Sequence, residues 1–191
     1  MKTNYILYLG LFLALASCKR QAEVPQKEKI DWNKSAISIM DNIRPKLYGS
    51  WTIKEINLVP FPPSTSEIGI YKDTTLINLG QLDINQVNTA GANQISNDVM
   101  GVIRFDNKVY PVGFRMLATG ERIYQNKGPQ VFGLFEYRFP VGTHLTEPQE
   151  DYLRNLNLIG SNFDMEISEN GKTMTWRGLG RAIKSMRLQK N

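Results

Sequence analysis

The side chains that most often carry enzyme chemistry are scarce in this sequence. It contains one histidine, His144, and one cysteine, Cys18, among 191 residues. Hydrolytic and proton-transfer enzymes commonly use a histidine together with a nucleophile, but His144 lies in the stretch VGTHLTEP with no paired nucleophile nearby. We therefore predict that His144 is an ordinary exposed loop residue and not a catalytic base.

The acidic residues do not form a recognisable site either. Asp164, Glu166 and Glu169 lie together on one predicted edge strand or its turn, where solvation is the usual reason for charge. A single cysteine excludes a disulfide within the chain and any cysteine-based metal cluster. No P-loop, dinucleotide fingerprint or HExxH motif occurs. The sequence therefore predicts no enzyme, no cofactor and no metal site.

Cys18 lies where an apolar run ends and charged residues begin. The cation Lys2, the mostly apolar stretch 5–16 and the small residues before Cys18 are the layout of a signal peptide. The apolar stretch is shorter than the roughly 20 residues that span a bilayer. The motif LASC resembles the lipobox of bacterial lipoproteins. This resemblance implies cleavage before Cys18, a thioether to diacylglycerol and an acylated N-terminus. The alternative is an ordinary secretory signal with a chance cysteine, or a structural thiol.

The predicted organisation follows from that anchor. Residues 1–17 are a lipoprotein signal peptide, 18–30 a lipidated tether, and 31–191 one mildly cationic domain long enough for a sizeable core. The tether is charged and contains Pro25 without any apolar period. Export excludes nucleic acid as a partner. Because no acidic residue follows Cys18 directly, we expect the protein on the periplasmic side of the outer membrane of a Gram-negative bacterium.

A short helix opens the domain. Asp31 is a suitable N-cap, apolar residues then recur at spacings of three and four, and Pro45 is expected to end the helix. The stripe consists of Trp32, Ala36, Ile39, Met40 and Ile43. It would pack against the following domain or touch lipid, and packing is the commoner use of such a stripe.

From Leu47 onward the sequence changes to short β-type runs separated by Gly, Pro, Asn and Asp. Asp106-Asn107 and Asn170-Gly171 are predicted two-residue hairpins. Large residues alternate along two central runs, one from Tyr110 to Met116 and one from Val131 to Phe139. About eight antiparallel strands of this kind predict a mainly β protein, a closed up-and-down barrel. The strands are expected near 47–58, 70–84, 99–105, 108–117, 131–139, 163–168, 172–178 and 182–190.

One late helix is predicted between the strands. Thr146 would cap it, Pro148 fits its first turn, and Tyr152, Leu153 and Leu156 form its stripe. The segment ERIYQ at 121–125 is interpreted as a short strand within a long polar connection.

The start of the first strand, LYGSW, contains a glycine two residues before a tryptophan. Gly49 and Trp51 resemble the G-x-W signature of the lipocalin-like family, and the preceding helix and the strands that follow agree with it. The resemblance implies that Trp51 plugs the closed end of the barrel and that a late arginine stacks over it. Arg187 is the candidate, with Arg177 second. One departure is that the helix usually follows the main strands, whereas here at least two strands follow it.

Two functions remain open at this point. The first is an envelope lipoprotein that binds a small apolar or amphipathic ligand inside the barrel. The second is a filled, non-enzymatic interaction subunit that contacts an envelope protein or anionic glycan through loops such as PFPPSTSEIG and a basic C-terminal face. That face carries six cations and no acid between 171 and 191, although a solvated outer surface would look the same. The predicted ligand wall is Phe114, Met116, Phe135, Tyr137 and Phe139.

Overall fold

The computed structural model describes residues 29–85, 96–142 and 144–191. The predicted signal peptide, Cys18 and the tether up to residue 28 lie outside the described residues. Within the described ranges the chain forms eight strands and four helices. In chain order they are α1 Trp32–Leu47, β1 Gly49–Leu58, α2 Ser64–Glu67, β2 Thr74–Asn85, β3 Ser96–Phe105, β4 Lys108–Ala118, α3 Gly120–Gln125, β5 Val131–Tyr137, α4 Pro148–Asn155, β6 Ser161–Ile167, β7 Thr173–Gly178 and β8 Ile183–Lys190.

The strands close into an up-and-down barrel. Each strand pairs antiparallel with the next one along the chain, and β8 pairs with β1. The predicted fold class is therefore confirmed. Closure occurs although three strands follow α4, because β6 and β7 continue the sheet directly from β5 towards β8.

The two predicted hairpins differ. Asp106 and Asn107 have φ angles of +47° and +62°, and Phe105 pairs with Lys108, which is the expected two-residue turn. The β6–β7 connection is longer than predicted, because Ser168 donates its backbone N–H to the carbonyl of Thr173 and regular pairing begins only at Ile167 with Met174. The short-turn prediction at Asn170-Gly171 was wrong.

Helix α1 continues past Pro45 to Leu47, so the predicted end of the helix was wrong. Asp31 does cap its start, accepting a hydrogen bond from the Lys34 N–H. At the other end, Lys190 Nζ donates to the Lys46 carbonyl at 2.9 Å. This bond satisfies one of the last carbonyls of the helix, which have no partner within it.

The two later helices also correct the predictions. Helix α4 has Glu147, not Thr146, at its N-cap position and Pro148 at its first turn. The segment 121–125 is not a strand. It lies in α3, which Thr119 caps by accepting a hydrogen bond from the Arg122 N–H.

Both ends of the barrel are covered. We call the end where β1 begins the lower end and the opposite one the upper end. At the lower end, α1 contacts β4, β6 and α3 and buries Met40, Ile43 and Leu47, whereas Trp32 stays exposed. At the upper end, the β5–β6 connection, which includes α4, buries Leu153 and Leu156. No helix among the described residues is both long and apolar enough to cross a membrane.

Candidate functional site

The centre of the barrel is packed with aromatic side chains. The Trp176 ring lies 5.5 Å from that of Phe114, 5.3 Å from that of Phe135 and 5.4 Å from that of Phe163. Three predicted ligand-wall residues belong to this region, and Phe114, Met116 and Phe135 are at most 2% exposed. A cavity that admits a ligand leaves accessible surface on the side chains that line it. The described barrel interior around these residues is therefore filled by its own side chains.

The other two predicted wall residues lie at the upper end. Tyr137 is half-buried and its hydroxyl donates to the Glu150 carbonyl at 3.1 Å. Phe139 comes after β5 and stacks on His144, with 3.9 Å between ring centroids. The structure thus does not bring the five residues together in one wall. Tyr137 and Phe139 hold the connection that closes the barrel.

Trp51 is fully buried at the lower end. Its indole N–H donates to the Leu47 carbonyl at 2.7 Å, which gives the buried ring its one polar partner. Gly49 has a φ of +123°, a conformation that other residues rarely adopt. The cation over the indole is Lys190, whose Nζ lies 5.2 Å from the ring centroid.

Arg187 does not take that place, so its expected stacking over Trp51 is corrected. It lies between the inward-facing residues Met186 and Leu188 and therefore points outward, where it pairs with Glu55 at 3.5 Å. Other cations of the predicted basic face are also paired, as Arg177 is with Glu166 and Lys184 with Asp73. Much of that face is neutralised by acids from other elements.

A buried carboxylate organises the upper end. Glu150 of α4 is 1% exposed, and its two oxygens lie 2.6 Å from His144 Nε2 and 2.9 Å from Arg154. Burying a carboxylate is costly unless it is paired in this way. His144 does lie in a loop and remains partly exposed, but it has a buried partner that sequence reasoning missed. A histidine six residues before an acid gives no periodic signal from which the contact could be found.

A second group beside it fixes the same connection. Glu147 accepts hydrogen bonds from Lys108 Nζ at 2.8 Å and from the Tyr110 hydroxyl at 2.7 Å. These two bonds lower the pKa of the Glu147 carboxyl. Burial, and then the bond to Glu147, raise the pKa of the Tyr110 phenol. Tyr110 therefore stays protonated and Glu147 stays ionised at neutral pH, so the pair serves as a fixed contact and not as a proton-transfer pair.

Hydrogen bonds join the four upper connections to one another. Gln149 donates to Asp106 at 2.9 Å, and the Val59 N–H donates to the Ala182 carbonyl at 2.8 Å. The Ala182 N–H in turn donates to the Asn157 side chain at 3.3 Å. We call these connections the cap. It comprises residues 59–73, 106–107, 138–142, 144–160 and 179–182.

The cap exposes large apolar side chains. Val141 is fully exposed, Leu145 is 84% exposed and Tyr71 is 73% exposed. Phe61 and Leu179 complete a set of five, which we call the apolar cap residues, and they come from three different connections. The stretch PFPPSTSEIG, which the sequence pointed to, lies in the cap. The stretch around Val141 and Leu145 was missed, because isolated apolar residues in a loop have no period.

Among the described residues, no group of three or more His, Cys, Asp or Glu side chains is arranged to hold a metal ion. Comparison of the chain with protein-family models, with curated proteins and with solved structures finds no match.

Proposed function

We propose that this protein is a membrane-anchored lipoprotein of the cell envelope, and that its filled barrel is a scaffold which presents the cap to a partner protein. The observation that carries the proposal is the exposure of the apolar cap residues on connections that are hydrogen-bonded to one another. Large exposed apolar side chains serve as anchors in protein association. Connections that are already ordered lose little conformational entropy when they bind.

The anchor in this proposal is Cys18. The LASC motif supports lipidation there. One acyl chain binds a membrane only reversibly, whereas several chains on one residue give stable attachment. The domain would then stand on the periplasmic side of the outer membrane, held by the tether that precedes α1. The proposal contains no enzymatic step.

Binding of a small apolar ligand inside the barrel is the weaker proposal. An eight-stranded barrel has the right architecture for it. However, a ligand would have to displace Trp176 from Phe114 and Phe135, and the contacts of Glu147 and Glu150 would have to break to admit it. Nothing comparable is needed for a partner that binds the outside of the cap.

Site-specific photo-cross-linking in the cell envelope tests the partner proposal. A benzophenone amino acid replaces Leu145 or Tyr71 in the cap, and Met100, an apolar residue that is 38% exposed on the barrel wall, serves as the control outside the cap. We expect one discrete protein adduct from both cap positions and none from Met100. Adducts that are the same from all three positions, or no adduct from the cap, would contradict a docking role for the cap.

The double substitution V141S/L145S tests how much the apolar cap residues contribute to the strength of the complex. Both side chains are exposed, so the fold should be retained, while loss of two apolar anchors should weaken the complex at least tenfold. The control M100S should leave adduct formation unchanged.

A further inference from the structure

A groove of about 640 Å³ lies at the lower end of the barrel, away from the cap. The last turn of α1, the β6–β7 turn and the end of β8 form its walls. Three lysines from these three elements line it, namely Lys46, Lys172 and Lys190. No Asp or Glu side chain is among the lining residues.

These lysines differ from the other cations of the C-terminal strands. Arg177, Lys184 and Arg187 on the barrel wall each have an acidic partner within 4 Å. Within the part of the chain that the structure describes, no acidic side chain lies that close to a groove lysine. Among the C-terminal cations of the described residues, Lys172 and Lys190 in the groove and Arg181 at the upper end lack an acidic partner, so at the lower end the unpaired positive charge of this region lies in the groove.

One feature of the groove opposes an anion but does not remove the positive charge. The carbonyl end of a helix carries partial negative charge, but Lys190 Nζ already donates to the Lys46 carbonyl at 2.9 Å. Asn191 also lines the groove. Its side chain is neutral, so the groove keeps the positive charge of its three lysines.

We propose that this groove binds a phosphate-bearing anion. Lysine ammonium groups are compact point charges that bind phosphate well, and a groove of this volume accommodates a phosphate with the group attached to it. The lower end is also where α1 packs, and the segment predicted to be the lipidated tether leads into α1. The phosphate belongs either to an anionic phospholipid headgroup or to a free phosphate compound. The inference does not depend on the cap or on its partner.

The test is calorimetric titration of the full chain in a nonionic detergent. The probes are dihexanoyl-phosphatidylglycerol, zwitterionic dihexanoyl-phosphatidylcholine and inorganic pyrophosphate. We expect saturable binding of the anionic probes that weakens as salt shortens the Debye length, and none of phosphatidylcholine. Binding of phosphatidylglycerol alone identifies a lipid headgroup as the ligand. Binding of pyrophosphate alone identifies a free phosphate compound as the ligand. Binding of both anionic probes shows that the groove recognises the phosphate group in either compound.

The double substitution K46Q/K172Q tests whether the anion binds in the groove, because it removes two of the three lysines there. One lysine near an anionic surface is worth about fivefold in binding, so we expect the association constant to fall at least tenfold. R181Q/K184Q removes the same charge at the upper end and should have no such effect. Lys190 is left intact because it also caps α1. The proposal is overturned if neither anionic probe binds, if phosphatidylcholine binds equally well, or if K46Q/K172Q binds like the unmodified protein.

Discussion

Replacement of Trp176 by alanine is expected to destabilise the protein by about 3 to 5 kcal/mol, because it removes the ring at the centre of the barrel and leaves a cavity. Trp176 is fully buried and its ring contacts those of Phe114, Phe135 and Phe163. Urea unfolding of the two proteins measures the difference. A small aromatic compound such as indole should stabilise W176A and not the unmodified protein, since only the variant has space for it.

Two tryptophan-to-phenylalanine substitutions serve as matched controls. Among the described residues the buried Trp176 N–H has no hydrogen-bond partner, so W176F loses no hydrogen bond and should cost less than W176A, because it leaves a smaller cavity. W51F leaves the Leu47 carbonyl without the donor that lies 2.7 Å from it, and should cost about 1 to 3 kcal/mol. A loss below about 1 kcal/mol for W176A, or indole binding to the unmodified protein, would contradict a filled interior.

Removal of both side-chain partners of Glu150 should be the second large effect. In H144A/R154A the buried carboxyl group keeps neither of the two side chains that contact its oxygens, and we expect a loss of about 3 kcal/mol in the free energy of unfolding. Each single substitution should cost less, because one partner remains. Adding E150Q to the double variant removes the unpaired charge and should recover much of the loss. Urea unfolding of the variants measures all these differences.

The control for this prediction is R115A, which breaks an ion pair with Asp98 of similar length, 2.9 Å, between two exposed side chains. It should cost less than about 1 kcal/mol, because exposed pairs contribute little. If H144A/R154A is no more costly than R115A, or if E150Q recovers nothing, the buried carboxylate does not organise the cap.

The barrel itself could be predicted from local patterns. Alternation along Tyr110 to Met116 and Val131 to Phe139 indicated strands with one apolar face, and Asp106-Asn107 specified the turn between two of them. Residues two apart share a face of any strand. The number of such segments was then sufficient to predict closure, because closure removes exposed edges.

Whether the inward residues surround a cavity or fill it could not be predicted in the same way. The answer depends on Trp176 of β7 meeting Phe114 of β4 and Phe135 of β5, and these contacts join segments far apart along the chain. Alternation identifies the inward face of each strand but not the distance between opposite walls. Phe163 and Trp176 were missed as interior partners for that reason.

The cation over Trp51 follows from the alternation of β8, which the resemblance behind the Arg187 prediction did not take into account. Pairing of β1 with β8 shifts register between Ile53 and Glu55 and again between Asn57 and Leu58. The second shift adds Lys184 to β8, but from Ser185 onward the strand alternates regularly, so Lys190 lies in phase with the inward-facing Met186 and Leu188 and Arg187 does not. Lys190, three residues after the predicted Arg187, therefore lies over the indole.

The most direct test of an anchored, filled barrel is a mass measurement on the protein purified from the cell envelope. The mass is recorded first under native conditions and then after denaturation. We expect the denatured chain to begin at Cys18 and to carry acyl chains. We also expect the native mass to equal the denatured mass, which means that the folded protein retains no small molecule. A stoichiometric apolar compound present only in the native spectrum would contradict the filled interior. An unmodified thiol, or a chain that keeps its first seventeen residues, would contradict the anchor.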